Sequence, residues 1–190
     1  ANKGFKQQVE SKHFNDFNKK NEHKIQLDQA IAFKDRAGCY FYHTDSLNKM
    51  PLYKHKIDRM GSYYLSQFNL GLDFDSCTRI KLVQSLNELS KNRQIKKLFI
   101  NRENIQFPVH ITYAEGSEKF HAFGKNQPIL LKDFFQSRKI GKFQRLFWPV
   151  LRQSKSNRIL AVLGLEIADE LKIGRSHQNV ACLESRYRGV

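Results

Sequence analysis

The sequence predicts an α+β protein: an N-terminal helical region followed by a small α/β domain with two short helices and a β-hairpin. Three observations lead there. Apolar residues recur at three- and four-residue spacing up to about residue 92, as in Leu52, Ile57, Met60, Tyr64, Leu65 and Phe68. From Leu98 the period shortens to two, with Ile105, Phe107, Val109 and Ile111 alternating with Gln106, His110 and Thr112. Finally, Ile129–Ile173 reads as helix, break, helix and hairpin, and it concentrates positive charge: Lys132 to Arg158 holds eight Lys or Arg against the single acid Asp133.

At 190 residues with 40% hydrophobic residues and 15 Phe, the chain has enough apolar material to bury a core. Its formal net charge of +15 creates a field that attracts phosphate backbones or anionic surfaces, and it exceeds what solubility requires. No run approaches the roughly 18–20 apolar residues that span a bilayer, and no membrane partner is expected. Cys39, Cys77 and Cys182 are odd in number and far apart, which reads as reduced thiols. A reducing compartment is therefore expected, either the cytoplasm or a mitochondrial or other organelle matrix.

Four segments follow from the pattern. Residues 1–36 are expected as a basic helical arm, with eight basic residues against five acids and a thin apolar edge of Phe5, Val9, Phe14 and Phe17. Residues 37–93 are expected to be helical after the break at Ala37-Gly38, with a short strand over Cys39–Tyr42. Asp45 or Ser46 can cap a short helix, Pro51 suits a first helical turn, and Asp75 or Ser76 can cap a further helix with Ile80, Val83, Leu86 and Leu89 inward. Residues 94–173 form the α/β domain, in which Pro108 places its strand at an edge or at the strand's own start. Residues 174–190 are a basic tail carrying Arg175, Arg186 and Arg188.

Within the central stretch, Leu131, Phe134 and Phe135 share one helical face, and Lys132, Gln136 and Lys139 project away. Gly141 is expected to end this helix as a left-handed cap. A shorter helix sets Phe143, Leu146 and Phe147 on one side and Lys142 and Arg145 outward, before Trp148-Pro149 stops it. The turn cluster Ser154–Asn157 predicts a hairpin pairing 150–153 with 158–163, and Gly164 marks a bend or a close backbone contact. Exposed rings on a basic surface can stack unpaired bases, but the helical spacing assigns Phe134, Phe135, Phe143 and Phe147 to the core. The cations carry the stronger signal. Lys132, Arg138, Lys139, Lys142, Arg145, Arg152, Lys155 and Arg158 are the candidate contacts to the phosphates of a structured RNA.

These residues occur in an order that resembles the C-terminal domain of bacterial tRNA(Ile)-lysidine synthetase over Gln106–Ile173. The carrying pieces are Phe107-Pro108-Val109-His110-Ile111, then Gly116, Phe120 and Gly124, then Leu131-Lys132-Asp133-Phe134-Phe135. Arg138-Lys139-Ile140, Arg145, Trp148-Pro149-Val150-Leu151, Ile159 through Gly164 and Lys172-Ile173 complete it. The resemblance implies a small α/β domain that helps hold a tRNA at its acceptor end. In that family a separate N-terminal domain adenylates a cytidine with ATP, using a Ser-Gly-Gly-x-Asp-Ser phosphate loop. This sequence contains no Gly-Gly pair. It also departs from the family pattern at Glu118, displaced from the position where the family has Asp, at Ala122 in place of Pro, and at Glu166 and Glu170 in place of Arg.

Catalytic constellations are weak. Cys39, His43, His55 and Cys77 match no compact zinc-ligand spacing, and His110 and His121 lack an obvious nucleophile or carboxylate partner. Asp133 suits a helix N-terminus. The expected function is non-catalytic binding of structured RNA, either rRNA or tRNA, with no cofactor and no DNA specificity. The expected setting is a ribonucleoprotein such as an organellar ribosome, with other proteins of that particle as partners. The alternative is the tRNA-binding C-terminal portion of a lysidine synthetase, an ATP-dependent ligase whose catalytic domain lies elsewhere.

Overall fold

A computed structural model describes residues 23–35, 38–49, 53–78, 95–174 and 179–187. It is built mainly from antiparallel strands. In chain order these are β1 (His23–Gln26), β2 (Ala30–Asp35), β3 (Gly38–His43), β4 (His55–Ile57), β5 (Gly61–Leu65), β6 (Leu70–Cys77), β7 (Ile95–Asn101) and β8 (Val109–Tyr113). They are followed by β9 (Lys119–Phe120), β10 (Ile129–Leu130), β11 (Pro149–Gln153), β12 (Ile159–Val162), β13 (Glu166–Ile167) and β14 (Val180–Tyr187). The α-helices among the described residues are short: α1 (Thr44–Lys49), α2 (Leu131–Ser137) and α3 (Lys142–Arg145).

Two sheets enclose the main core. The first runs β13-β12-β11-β8-β4 and the second β5-β6-β14-β7. Between them Ile57, Phe74, Ile100, Ile111, Leu151 and Leu183 are almost wholly buried. The five-stranded sheet is covered on its other side as well, by α2 and the small β10-β9 ladder, through Phe120, Leu131, Phe134, Phe135, Val150 and Val162. Burial on both faces leaves every residue of β11 and β12 buried and explains why β12, Ile-Leu-Ala-Val, reads as a continuous apolar run instead of alternating. The third sheet, β1-β2-β3, lies on α3, where Ile31 and Phe33 enclose Phe143.

Among the described residues of the N-terminal region, strands stand where helices were expected, α1 apart. Residues 23–35 form β1 and β2, and residues 53–77 supply β4, β5 and β6 in place of a helix. Its apolar positions serve different strands: Ile57 on β4, Leu65 on β5, and Phe68 on a 3-10 turn. The decisive signal is Leu70-Gly71-Leu72-Asp73-Phe74, where strict alternation buries Leu70, Leu72 and Phe74. Asp75 and Ser76 lie within β6, so they cap no helix. Residues 1–22 of the expected 1–36 arm, the helical turn at Pro51, and the apolar face from Ile80 to Leu89 lie outside the described residues.

Other expectations match. Cys39–Tyr42 lie in β3, and a short helix, α1, does form, but it begins at Thr44, so Asp45 and Ser46 lie inside it and are not its cap. The predicted hairpin is the β11–β12 pair, with Val150 opposite Val162 and Leu151 opposite Ala161. Pro108 immediately precedes β8, an inner strand between β11 and β4. Gly164 has φ +73, and a Cβ there would crowd Ser185 Oγ at 3.1 Å, so both the bend and the close contact hold. Residues 180–187, expected as tail, form the strand between β6 and β7, with Leu183 opposite both Phe74 and Leu98. Sheet pairing therefore ties residues before position 93 to the chain's last described strand.

Candidate nucleic-acid interface

The α2–α3 segment is positioned by its apolar face. Leu131, Phe134 and Phe135 are buried, which turns Lys132 and Gln136 to the exposed side. Two of the unpaired N–H groups at the start of α2 are satisfied by a preceding turn, Leu131 N donating to Glu118 O at 2.8 Å and Lys132 N to Gly116 O at 3.1 Å. At the other end Lys139, not Gly141, takes the left-handed conformation, with φ 58. This lets Ile140 N reach back to Phe135 O at 3.1 Å.

Gly141 has φ −58 and is needed for a different reason. A side chain there would overlap the Asp35 carboxylate. Asp35 is buried on β2, and its Oδ2 accepts from Phe143 N at 3.3 Å, tying the three-stranded sheet to the start of α3. Around this contact the Phe33 and Phe143 ring centroids lie 4.5 Å apart, and Tyr42 stacks on Phe147 at 3.9 Å. Burial pushes the Tyr42 hydroxyl pKa up to about 12. The aromatic residues of both helices are thus packing groups, as their spacing predicted: Phe134, Phe135 and Phe143 are buried and Phe147 is half-buried.

The eight candidate cations separate into distinct environments. Lys132, Lys139, Lys142 and Lys155 are exposed, and none pairs with an acid among the described residues. Arg145 donates from Nε to Ile140 O at 2.8 Å and from Nη1 to Lys132 O at 3.2 Å. Those acceptors are neutral carbonyls, so the guanidinium braces the helix pair while its charge meets no acid among the described residues. Lys132, Lys139, Lys142 and Arg145 are thereby gathered on one helix–turn–helix unit.

The remaining three arginines each meet a glutamate. Arg138 pairs with Glu166 at 2.7 Å and lies 4.5 Å from the Phe134 ring centroid. Arg158 pairs with Glu170 at 2.9 Å. Arg152 is buried, and its fork meets both Glu118 oxygens at 2.6 and 2.7 Å while Nε donates to Thr112 Oγ1 at 2.6 Å. That guanidinium is fully engaged inside the protein and does not face solvent. Glu118, Glu166 and Glu170 are the acids singled out as departures in the sequence. Their effect, not visible from spacing alone, is to neutralise the three arginines nearest to them in the fold.

The hairpin tip carries Lys155 outward. Beneath it His110 is buried, with Nδ1 3.2 Å from Ser154 Oγ and Nε2 3.2 Å from Asn157 Oδ1. Burial, together with the charges of Lys54 and Arg152, lowers its pKa, with the Asn157 contact opposing. Cys39, His43, His55 and Cys77 are distributed over β3, β4 and β6, and no cluster of three His, Cys, Asp or Glu able to hold a metal occurs among the described residues.

A helix pair capped by a 115–118 turn and followed by the β11–β12 hairpin is the arrangement that the sequence motifs implied. Residues 109–183 match the family model described as the TilS substrate C-terminal domain. The TilS match takes in α2, α3, the hairpin and part of β14. A crystal structure of a TilS C-terminal domain shares the fold, with a TM-score of 0.54 and 13% identity, covering 73% of this chain and 100% of that one. An N-terminal fragment of the phenylalanyl-tRNA synthetase β-subunit from Pyrococcus horikoshii aligns with a TM-score of 0.47 and 17% identity over 76% of this chain and 42% of that one, too loosely to support an argument. No curated protein matches the chain.

Proposed function

We propose that this chain holds a structured RNA, a tRNA in the first place, and carries out no reaction on it. The single observation behind this reading is the set Lys132, Lys139, Lys142 and Arg145, gathered on α2, its turn and α3 without acid partners among the described residues. Three exposed lysines beside the half-buried Arg145 can contact phosphates and release counterions, whereas cations paired with carboxylates contribute little to such a field. Lys155 at the hairpin tip extends the contact surface. Arg138 and Arg158 join only if RNA displaces their glutamates, and Arg152 serves the fold.

The TilS domain match supports tRNA over other structured RNA as the ligand. In this reading the chemistry of a lysidine synthetase lies on a separate phosphate-loop domain. Membership of a ribonucleoprotein such as an organellar ribosome is the competing assignment. Recovery of the full chain with its bound RNA tests both. Free tRNA-sized RNA that dissociates as salt rises is the expected result. Cosedimentation with ribosomal particles favours the competing assignment, and absence of any salt-sensitive RNA overturns the RNA reading altogether.

A further inference from the structure

Apart from the helix pair, a cavity of about 340 Å³ opens between β9, β12 and the 3-10 turn at Asp169–Leu171. Its lining is apolar at Pro128, Ile159 and Ala168, the last two of which are buried, and polar elsewhere. Lys119 is exposed and has no acid partner among the described residues, and Arg158 pairs with Glu170 at 2.9 Å. His121 also lines the cavity, and its Nε2 lies 2.6 Å from the Lys125 carbonyl, so in the neutral ring Nε2 donates and Nδ1 is left as an acceptor.

The adjoining loop is fixed in place. Ala122 bridges to Ala168, Phe123 N donates to Ile167 O at 3.0 Å, and Gly124 N donates to Asp169 Oδ1 at 3.0 Å. These bonds hold Phe123 with 51% of its surface exposed, two residues from His121. Apolar lining, a cation without an acid partner among the described residues, and carboxylate and imidazole acceptors form a combination that a bare phosphate cannot satisfy. A flat heterocycle carrying a phosphate uses all of it. The volume falls at the small end of the roughly 300–1,000 Å³ typical of small-ligand sites.

We propose that this cavity receives one unstacked nucleotide of the bound RNA, with its base against Pro128, Ile159 and Ala168 and its phosphate on Lys119. The proposal rests on the RNA-binding reading and adds a second contact to it, at a site distinct from the α2–α3 cations. Glu170 and the His121 imidazole supply acceptors for the base's amino or imino hydrogens.

The test is a titration of the full chain with AMP, CMP, GMP and UMP separately, followed by amide and imidazole NMR shifts. A parallel titration uses sodium phosphate at matched ionic strength. Saturable shifts at Lys119, His121 and Ala168 with at least one nucleotide, not reproduced by phosphate and weakened about tenfold by Lys119→Gln, are expected. Lys119 is exposed, so this substitution leaves the fold intact, and its melting curve checks that. Absence of saturable shifts, an equal response to phosphate, or shifts confined to α2 and α3 overturns the proposal. A stem RNA assay on the same sample separates the two readings. Stem binding with a silent cavity sinks the nucleotide site alone, and loss of both sinks the RNA reading too.

Discussion

Removing the Glu118 carboxylate should destabilise the protein and leave RNA binding intact. Arg152 has a side-chain exposure of 4% and Glu118 one of 22%, and their contact is bidentate. Glu118→Gln keeps the shape but strips the charge, leaving a guanidinium that water barely reaches. Breaking a buried pair from one side costs about 3–5 kcal/mol, and the partial exposure of Glu118 places this case near the lower end. For a protein of this size each kcal/mol lowers the melting temperature by roughly 2–4 °C, so the fall should be roughly 6–12 °C. Circular dichroism melts of the full chain measure it. The double variant Glu118→Leu with Arg152→Met should recover most of the loss, because replacing both charges by apolar groups removes the stranded cation. A Glu118→Gln melt within about 2 °C of the parent would refute the reasoning. So would an undiminished melt accompanied by stronger RNA binding, since that would make the released Arg152 a phosphate ligand.

Other outcomes follow from the same contacts. Gly141→Ala should force apart Asp35 and α3 at a cost of about 1–3 kcal/mol, read as faster amide exchange over β1–β3, and Asp35→Ala in the same chain should relieve the clash. His110 has a lowered pKa in the fold, so below the unfolded value of about 6.5 the unfolded chain takes up a proton that the folded chain resists. Stability should therefore fall as pH drops from 7.5 through 6.5, levelling only below the folded pKa, and His110→Gln should flatten that slope; parallel slopes would count against it. Burial pushes the Cys182 thiol up to about 12 while Cys39 is exposed, so iodoacetamide at pH 8 should label Cys39 in the native protein and Cys182 only after denaturation.

The central stretch was legible because local and tertiary demands agree there. Leu131, Phe134 and Phe135 occupy one helical face in sequence and in the fold, and Ser154–Asn157 turns the chain where its composition says it should. The N-terminal half misled because its strands are short and joined by tight turns. Ile57, Leu65 and Phe68 fall at near-helical spacing by coincidence of three separate elements, while the period-2 run from Leu70 to Phe74 carried the correct signal. The last strand was hidden for a different reason. β14 alternates Ala181, Leu183 and Ser185 inward, and a buried serine weakens the apolar pattern that identifies a strand.

The site was half legible. The count of cations between Lys132 and Arg158 was visible, but not which of them are neutralised. Glu166 and Glu170 lie outside that window in sequence and reach Arg138 and Arg158 only through the β12–β13 turn and the 3-10 turn after it. Glu118 reaches Arg152 across 34 residues. The α3 contact with Asp35 spans 108 residues and leaves no trace in local periodicity. Long-range pairing of charges is what sequence spacing cannot supply.

Whether the α2–α3 cations hold RNA is decided by the salt dependence of tRNA binding by the parent chain and by the Lys139→Asn, Lys142→Gln double variant. Asn tolerates the left-handed backbone at position 139, so the helix pair is preserved. With Lys132, Lys139, Lys142 and Arg145 on phosphates, log K should fall with log salt at a slope of about −3, at roughly 0.7–0.9 per contact. The double variant should lose about 1.5 of that slope while melting at the parent's temperature. An unchanged slope in the variant, or a flat one in the parent, would show that these cations do not contact the RNA.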